Sequence, residues 1–273
     1  MSQEKIHKSE ASQPGSVGFV DAHLHLADPG YAGKTFEVIR DATSHGVSRM
    51  LSNAVDFETS LETIKIAKNS AGSVLAAVGV HPSATLNTDD LHLDKFGKMI
   101  DENANSISAI GEIGLDGKYS QDERVKAKQI EVFRFFLALA EEKHLPVVVH
   151  SRQAISETID SLAHFHLPSV LLHWYDGPTD SLSTLKDRGY MISIGPAVLY
   201  SRKIAEIARA VNSDLILTET DGPVAYRGLF GRELTKPWFV VNVVGRLGEL
   251  RGANSDIVKS TVFSNFHRFL GFI

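Results

Sequence analysis

Short β-branched or apolar runs alternate with longer stretches of helical periodicity along nearly the whole chain, and this alternation restricts the fold more than any single motif. The runs are Val17–Asp21, Val47–Ser52, Val74–Val80, Ile107–Ile113, Pro146–His150, Val170–His173, Tyr190–Ile194 and Leu215–Thr220. Between them lie the helix-like segments Lys34–His45, Asp56–Asn69, Asp90–Asn103, Asp122–Lys143, Ser156–Phe165, Ser181–Asp187 and Ile204–Val211, and a last helical region runs from Pro237 to Phe269. Near-continuous apolar strands imply burial on both faces, the mark of a parallel sheet. Eight such units in about 255 residues match a closed barrel, whereas an open doubly wound sheet calls for a Gly-rich phosphate turn after its first strand, which is missing. The predicted fold is therefore α/β, a (β/α)8 TIM barrel, with its chemistry at the C-terminal ends of the strands.

Composition narrows the function. The 273 residues carry 28 basic and 33 acidic side chains, a net charge of −5, and are 43% apolar, as expected of a globular protein with a sizeable core. There is no cysteine, which excludes disulfides, thiolate metal sites and a cysteine nucleophile. Any bound metal must sit on nitrogen and oxygen. The mild negative charge argues against a basic stripe for duplex nucleic acid, although metal ions can supply positive charge locally. No apolar run approaches the ~20 residues of a membrane span, so a cytoplasmic, monomeric protein without membrane association is the default expectation. Met1 to Ser16 is polar and reads as a disordered leader, leaving 17–273 as one domain.

The unusual polar residues fall where a barrel enzyme would need them. The first run leads into Asp21-Ala22-His23-Leu24-His25, whose alternation puts His23 and His25 on one face as a chelating pair. Glu112 interrupts an apolar run between Gly111 and Gly114, costly to bury unless paired or metal-bound. The fifth and sixth runs each end in histidine, His150 and His173; packing explains one such residue, but not two added to the first pair. The eighth ends Glu219-Thr220-Asp221-Gly222-Pro223, holding Asp221 at the rim with Glu219 one layer deeper. Of twelve histidines, five (His23, His25, His81, His150 and His173) close predicted strands, and the other seven fall on helices, their edges or the leader. Four histidines, a glutamate and an aspartate exceed the needs of one tetrahedral ion and suit two divalent ions bridged by a carboxylate, with Zn, Mn or Co favoured and Mg possible in a weaker second position.

These pieces, with Gly79-Val80-His81-Pro82, Leu145-Pro146-Val147-Val148-Val149-His150-Ser151-Arg152 and Ile192-Ser193-Ile194-Gly195, resemble the TatD-related deoxyribonucleases, metal-dependent hydrolases of the amidohydrolase superfamily. The resemblance runs from the first strand to the eighth. It implies that His23 and His25 bind a first metal, Glu112 bridges, His150 and His173 bind a second, and Asp221 completes the site and takes the proton of the attacking water. It also implies that His81 and Arg152 face the scissile phosphate of DNA or oligonucleotide ends, cleaved by a metal-activated hydroxide. The chain departs from the family pattern at Gln153, Trp174-Tyr175-Asp176-Gly177, Val224 and Thr235-Lys236-Pro237, all in loops that shape the pocket. Trp174, Tyr175 and Phe230 either stack unpaired bases or cap the barrel. Arg202, Lys203, Arg227, Arg232 and Lys236 form either a local basic collar or ordinary solvated charge. Two other functions remain open: a hydrolase of small lactones, amides or aminoacyl esters using the same ions, and a non-catalytic scaffold.

Overall fold

A computed structural model describes residues 17–119, 122–226, 231 and 233–272. The leader, Arg227, Phe230 and Arg232 lie outside the described residues. Eight strands are present: β1 (Phe19–Leu24), β2 (Val47–Asn53), β3 (Val74–Val78), β4 (Ile107–Gly114), β5 (Val147–His150), β6 (Val170–Leu172), β7 (Met191–Ile194) and β8 (Ile216–Thr218). Each pairs in parallel with the next in sequence order. The gap between β8 and β1 is closed by hydrogen bonds along and beyond the strand ends. Thr218 Oγ1 donates to the Val20 carbonyl (2.6 Å), the Asp221 amide to the His23 carbonyl (2.9 Å) and the His25 amide to the Gly222 carbonyl (2.7 Å). The result is the expected (β/α)8 barrel.

The helices form where local chemistry favours them. They are α1 (Thr35–Ser44), α2 (Phe57–Lys68), α3 (Asp90–Glu102), α4 (Glu123–Lys143), α5 (Ile155–Leu162), α6 (Ser181–Asp187), α7 (Arg202–Ala210), α8 (Val240–Arg251) and α9 (Ser255–Phe269). Asp56 and Thr59 make a reciprocal capping box on α2, and Asp89, Asp122, Ser201 and Asn254 accept backbone N–H bonds at the starts of α3, α4, α7 and α9. The single terminal helical region expected from sequence is two helices. Gly252, at φ 62°, ends α8 in the left-handed conformation, and Asn254 starts α9.

Alternation along the strands divides the interior. Val20, Ala22 and Leu24 of β1 turn to the helical layer, while Asp21 and His23 take the other side, and all five are fully buried. The main core joins β3–β8 to α3 and α4 through Phe96, Phe133 and Phe136, where truncating one phenylalanine to alanine costs about 3–5 kcal/mol. That packed floor leaves the C-terminal strand ends as a rigid rim for polar groups. Among the described residues, no helix is long and apolar enough to cross a membrane.

Candidate metal centre

His23 from β1, Glu112 from β4, His150 from β5, and His25, His173 and Asp221 just past β1, β6 and β8 converge at the barrel mouth. Glycine makes the approach possible. A Cβ on Gly111 would stand 2.8 Å from Val148 Cβ, and Gly114, at φ 144°, would drive one into the His150 carbonyl. Among the described residues, three of the five non-glycine residues with positive φ (Gln153, Trp174 and Asp221, at 54°, 42° and 48°) sit just past β5, β6 and β8. Backbone held in this sparsely populated region clusters at functional sites.

Two donor sets share Glu112. In the first, His23 Nε2 lies 3.2 Å from His25 Nε2 and 3.3 Å from Asp221 Oδ1, and His25 Nε2 lies 3.2 Å from the same Oδ1. Glu112 Oε2 stands 3.5 Å from His23 Nε2 and 3.4 Å from His25 Nε2. Zinc–ligand bonds of about 2.0–2.1 Å give tetrahedral edges of about 3.3–3.4 Å, close to these five separations. In the second set, Glu112 Oε1 lies 2.8 Å from His150 Nδ1 and 2.7 Å from His173 Nε2, which are 3.3 Å from each other. His81 Nε2 is 3.6 Å from Glu112 Oε1, within reach of this second set.

The charges are arranged to match. Burial works against ionising Glu112, but His173, His81, His23 and His150 outweigh it and hold the carboxyl well below its usual range. Asp221 is likewise lowered despite burial, through His23 and His25. Burial opposes charge on His25, yet Asp221 and Glu112 push it up to about 9. His173 and His150 also rise against their burial, the first through Glu112 and Glu219, the second through Asp116 and Glu112. His81 is the exception: burial, aided by neighbouring imidazoles, lowers it to about 4. Protonated imidazoles packed on ionised carboxylates form the charge pattern in which a cation displaces protons.

All six expected ligand residues therefore meet. His81 and Arg152 line the same cavity, about 550 Å³ in volume, together with Asp28, Tyr119, Trp174, Asp176 and Val224. Arg152 is not free: its guanidinium lies 2.7 Å from Asp116 Oδ2 and 5.0 Å over the Tyr119 ring. The same Asp116 oxygen lies 2.8 Å from His150 Nε2. Burial raises Asp116, but His150 and Arg152 overcome it and bring the carboxyl to about 2. Sequence reasoning missed Asp116. Its position in Gly114-Leu115-Asp116, just beyond β4, was the signal, but strand alternation has no force past the strand end. The outward nitrogen of His25 rests on the Asn53 carbonyl (2.9 Å), a backbone contact that no residue type encodes.

At two points the rim decides between alternatives that the sequence leaves open. Tyr175 is buried and its hydroxyl donates to the Pro178 carbonyl (2.8 Å), so it offers no stacking face, whereas half-buried Trp174 lines the cavity with its ring against Tyr226. Arg202, Lys203 and Lys236 do not line the cavity; Arg202 pairs with Glu206 and Lys236 approaches Asp41. Among the described residues there is no basic collar.

A parallel barrel with clustered imidazoles and carboxylates at its mouth is the architecture of metal-dependent hydrolases. The chain belongs to the TatD related DNase family, whose model matches residues 20–271. It is 30% identical over 253 residues to an uncharacterized metal-dependent hydrolase of Methanocaldococcus jannaschii, covering 93% of this chain and 97% of the relative. Identity to the deoxyribonuclease TATDN3 of Homo sapiens is 28%, over 91% of this chain and 93% of that protein. The crystal structure of YjjV, a TatD homologue from Escherichia coli K12, superposes with a TM-score of 0.86 at 25% identity, covering 92% of this chain and 97% of that one. This protein is a metal-dependent hydrolase.

Proposed function

We propose that the chain is a deoxyribonuclease that removes nucleotides from the ends of single DNA strands, using two divalent ions of zinc, manganese or cobalt. The observation that carries this proposal is the pair of donor sets sharing Glu112 on the wall of one cavity. His23, His25, Asp221 and Glu112 would hold one ion, and His150, His173 and Glu112 the other. Ions held there would supply a water acidic enough to ionise near neutral pH and positive charge beside the phosphoryl oxygens.

The remaining chemistry belongs to the chain. Asp221, kept ionised by its imidazole neighbours, accepts the proton of the attacking water and passes it to the departing alkoxide. Arg152, braced by Asp116, and His81 take up charge on the non-bridging oxygens. Trp174 offers its ring to the terminal base, a contact worth about 1–3 kcal/mol. The cavity, about 550 Å³, suits one or two nucleotides. The name of the human relative points to the same substrate class.

A second reading, hydrolysis of a small lactone, amide or ester, is favoured by the acidic side chains Asp28 and Asp176 on the cavity wall, where Arg152 is the one lysine or arginine among the described residues. Single-stranded oligonucleotides labelled at the 5′ or 3′ end, compared with an ester and lactone panel in manganese or zinc, separate the two. Stepwise shortening abolished by a chelator is expected. Turnover of esters or lactones with intact oligonucleotides would overturn the nuclease assignment.

A further inference from the structure

Each imidazole of the centre turns one nitrogen inward and one outward. The outward nitrogens of His25, His150 and His81 have partners of their own: the Asn53 carbonyl (2.9 Å), Asp116 Oδ2 (2.8 Å) and Ser83 Oγ (2.7 Å). His23 and His173 differ. Their rings stack 3.7 Å apart and 10° from parallel, and each Nδ1 is buried without a hydrogen-bond partner. The wholly buried Glu219 approaches this pair on the His173 side. Its Oε2 accepts from Ser193 Oγ (2.5 Å) and lies 3.6 Å from His173 Nδ1, while its Oε1 is also unpartnered. His23, His173 and Glu219 bring one donor atom each within 4.8 Å of one another.

Three buried, unpaired polar atoms on neighbouring residues are rare in folded proteins. They are compatible with each other: two imidazole N–H groups donate, and a carboxylate has the oxygens to accept from both and from Ser193. We propose that Glu219 is a positioning residue common to both donor sets, which keeps the proton of His23 and of His173 on Nδ1, directly or across one buried water, and so presents a bare Nε2 from each to the ions. His150 is oriented the other way, with Nδ1 inward and Nε2 held by Asp116. Asp116 thus serves the second set alone, whereas Glu219 serves both. This inference rests on the ligand assignment proposed above.

The test uses the full chain loaded with zinc. Long-range proton–nitrogen spectra of the imidazoles should show His23 and His173 protonated at Nδ1 and His150 protonated at Nε2. Glu219→Gln should weaken both zinc ions about tenfold or more in competition with a graded chelator, and Asp116→Asn the second alone. Wild-type affinity in Glu219→Gln, or weakening confined to one ion, would overturn the shared role. Should that variant not fold, the wild-type spectrum decides: an unprotonated Nδ1 on either ring contradicts the proposal. A wild-type protein that takes up no zinc is a different result, because it removes the ligand assignment itself.

Discussion

The two donor sets are built from the same residue types but differ in the number of donors. In the first, all five measured separations fall between 3.2 and 3.5 Å, and its residues His23, His25 and Asp221 come from the seam where β8 meets β1. The second has three donors 2.7–3.3 Å apart, carried by β4, β5 and the end of β6, with His81 at 3.6 Å on the cavity side. The first is thus a cage of four residues. The second is a three-donor cradle with His81 beside it, and residues of both sets line the cavity. Glu112 joins them, so neither set is independent of the other.

The sharpest way to break this contrast is to remove what the sets share. Glu112→Ala should empty both and lower kcat by about 10⁴-fold or more, since several kcal/mol of charge stabilisation disappear. Elemental analysis and steady-state kinetics check it, and retention of two ions would dissolve the pairing. Asp221→Asn keeps three corners of the cage and an oxygen on the fourth. It should retain most metal while losing about 10²–10⁴ in the hydrolytic step, measured under single-turnover conditions. Asp116→Asn acts on the cradle alone, through His150 and Arg152. About 10–100-fold weaker binding of the second ion, with the first unchanged, is expected in calorimetric titration.

A smaller effect concerns pH. In the fold His25 titrates at about 9 rather than 6.5, so its protonated form stabilises the metal-free protein fully below pH 6.5, and that contribution is lost as pH rises through about 9. The chelated protein should therefore lose melting temperature between these values. The zinc-loaded protein should not, because ion binding has already displaced the proton. Parallel thermal melts compare them, and identical profiles would remove His25 from the cage.

The cage and the cradle were legible in the sequence to the degree that strand alternation reaches. His23 and His25 share a face by period two, His150 and His173 close apolar runs, and Glu112 stands out because a buried charge needs a partner. What supports those residues was less legible. Asp116 and the Asn53 carbonyl act from beyond a strand end and through the backbone, and Glu219 was placed one layer down without its link to His173. The closing helical region read as continuous because Gly252 interrupts apolar periodicity without changing it, although its positive φ ends α8. The rim was hardest to read, since the burial of Tyr175 follows from a turn that returns its hydroxyl to Pro178.

The central claim is that side chains carried by β1, β4, β5, β6 and β8 grip two cations around one carboxylate. Crystals grown with zinc, measured on both sides of its absorption edge, test it directly. Two anomalous peaks are expected, one among His23, His25 and Asp221, the other between His150 and His173, each within coordination distance of a different oxygen of Glu112. A map with no peak at the barrel mouth, or with Glu112 touching neither ion, would contradict the account.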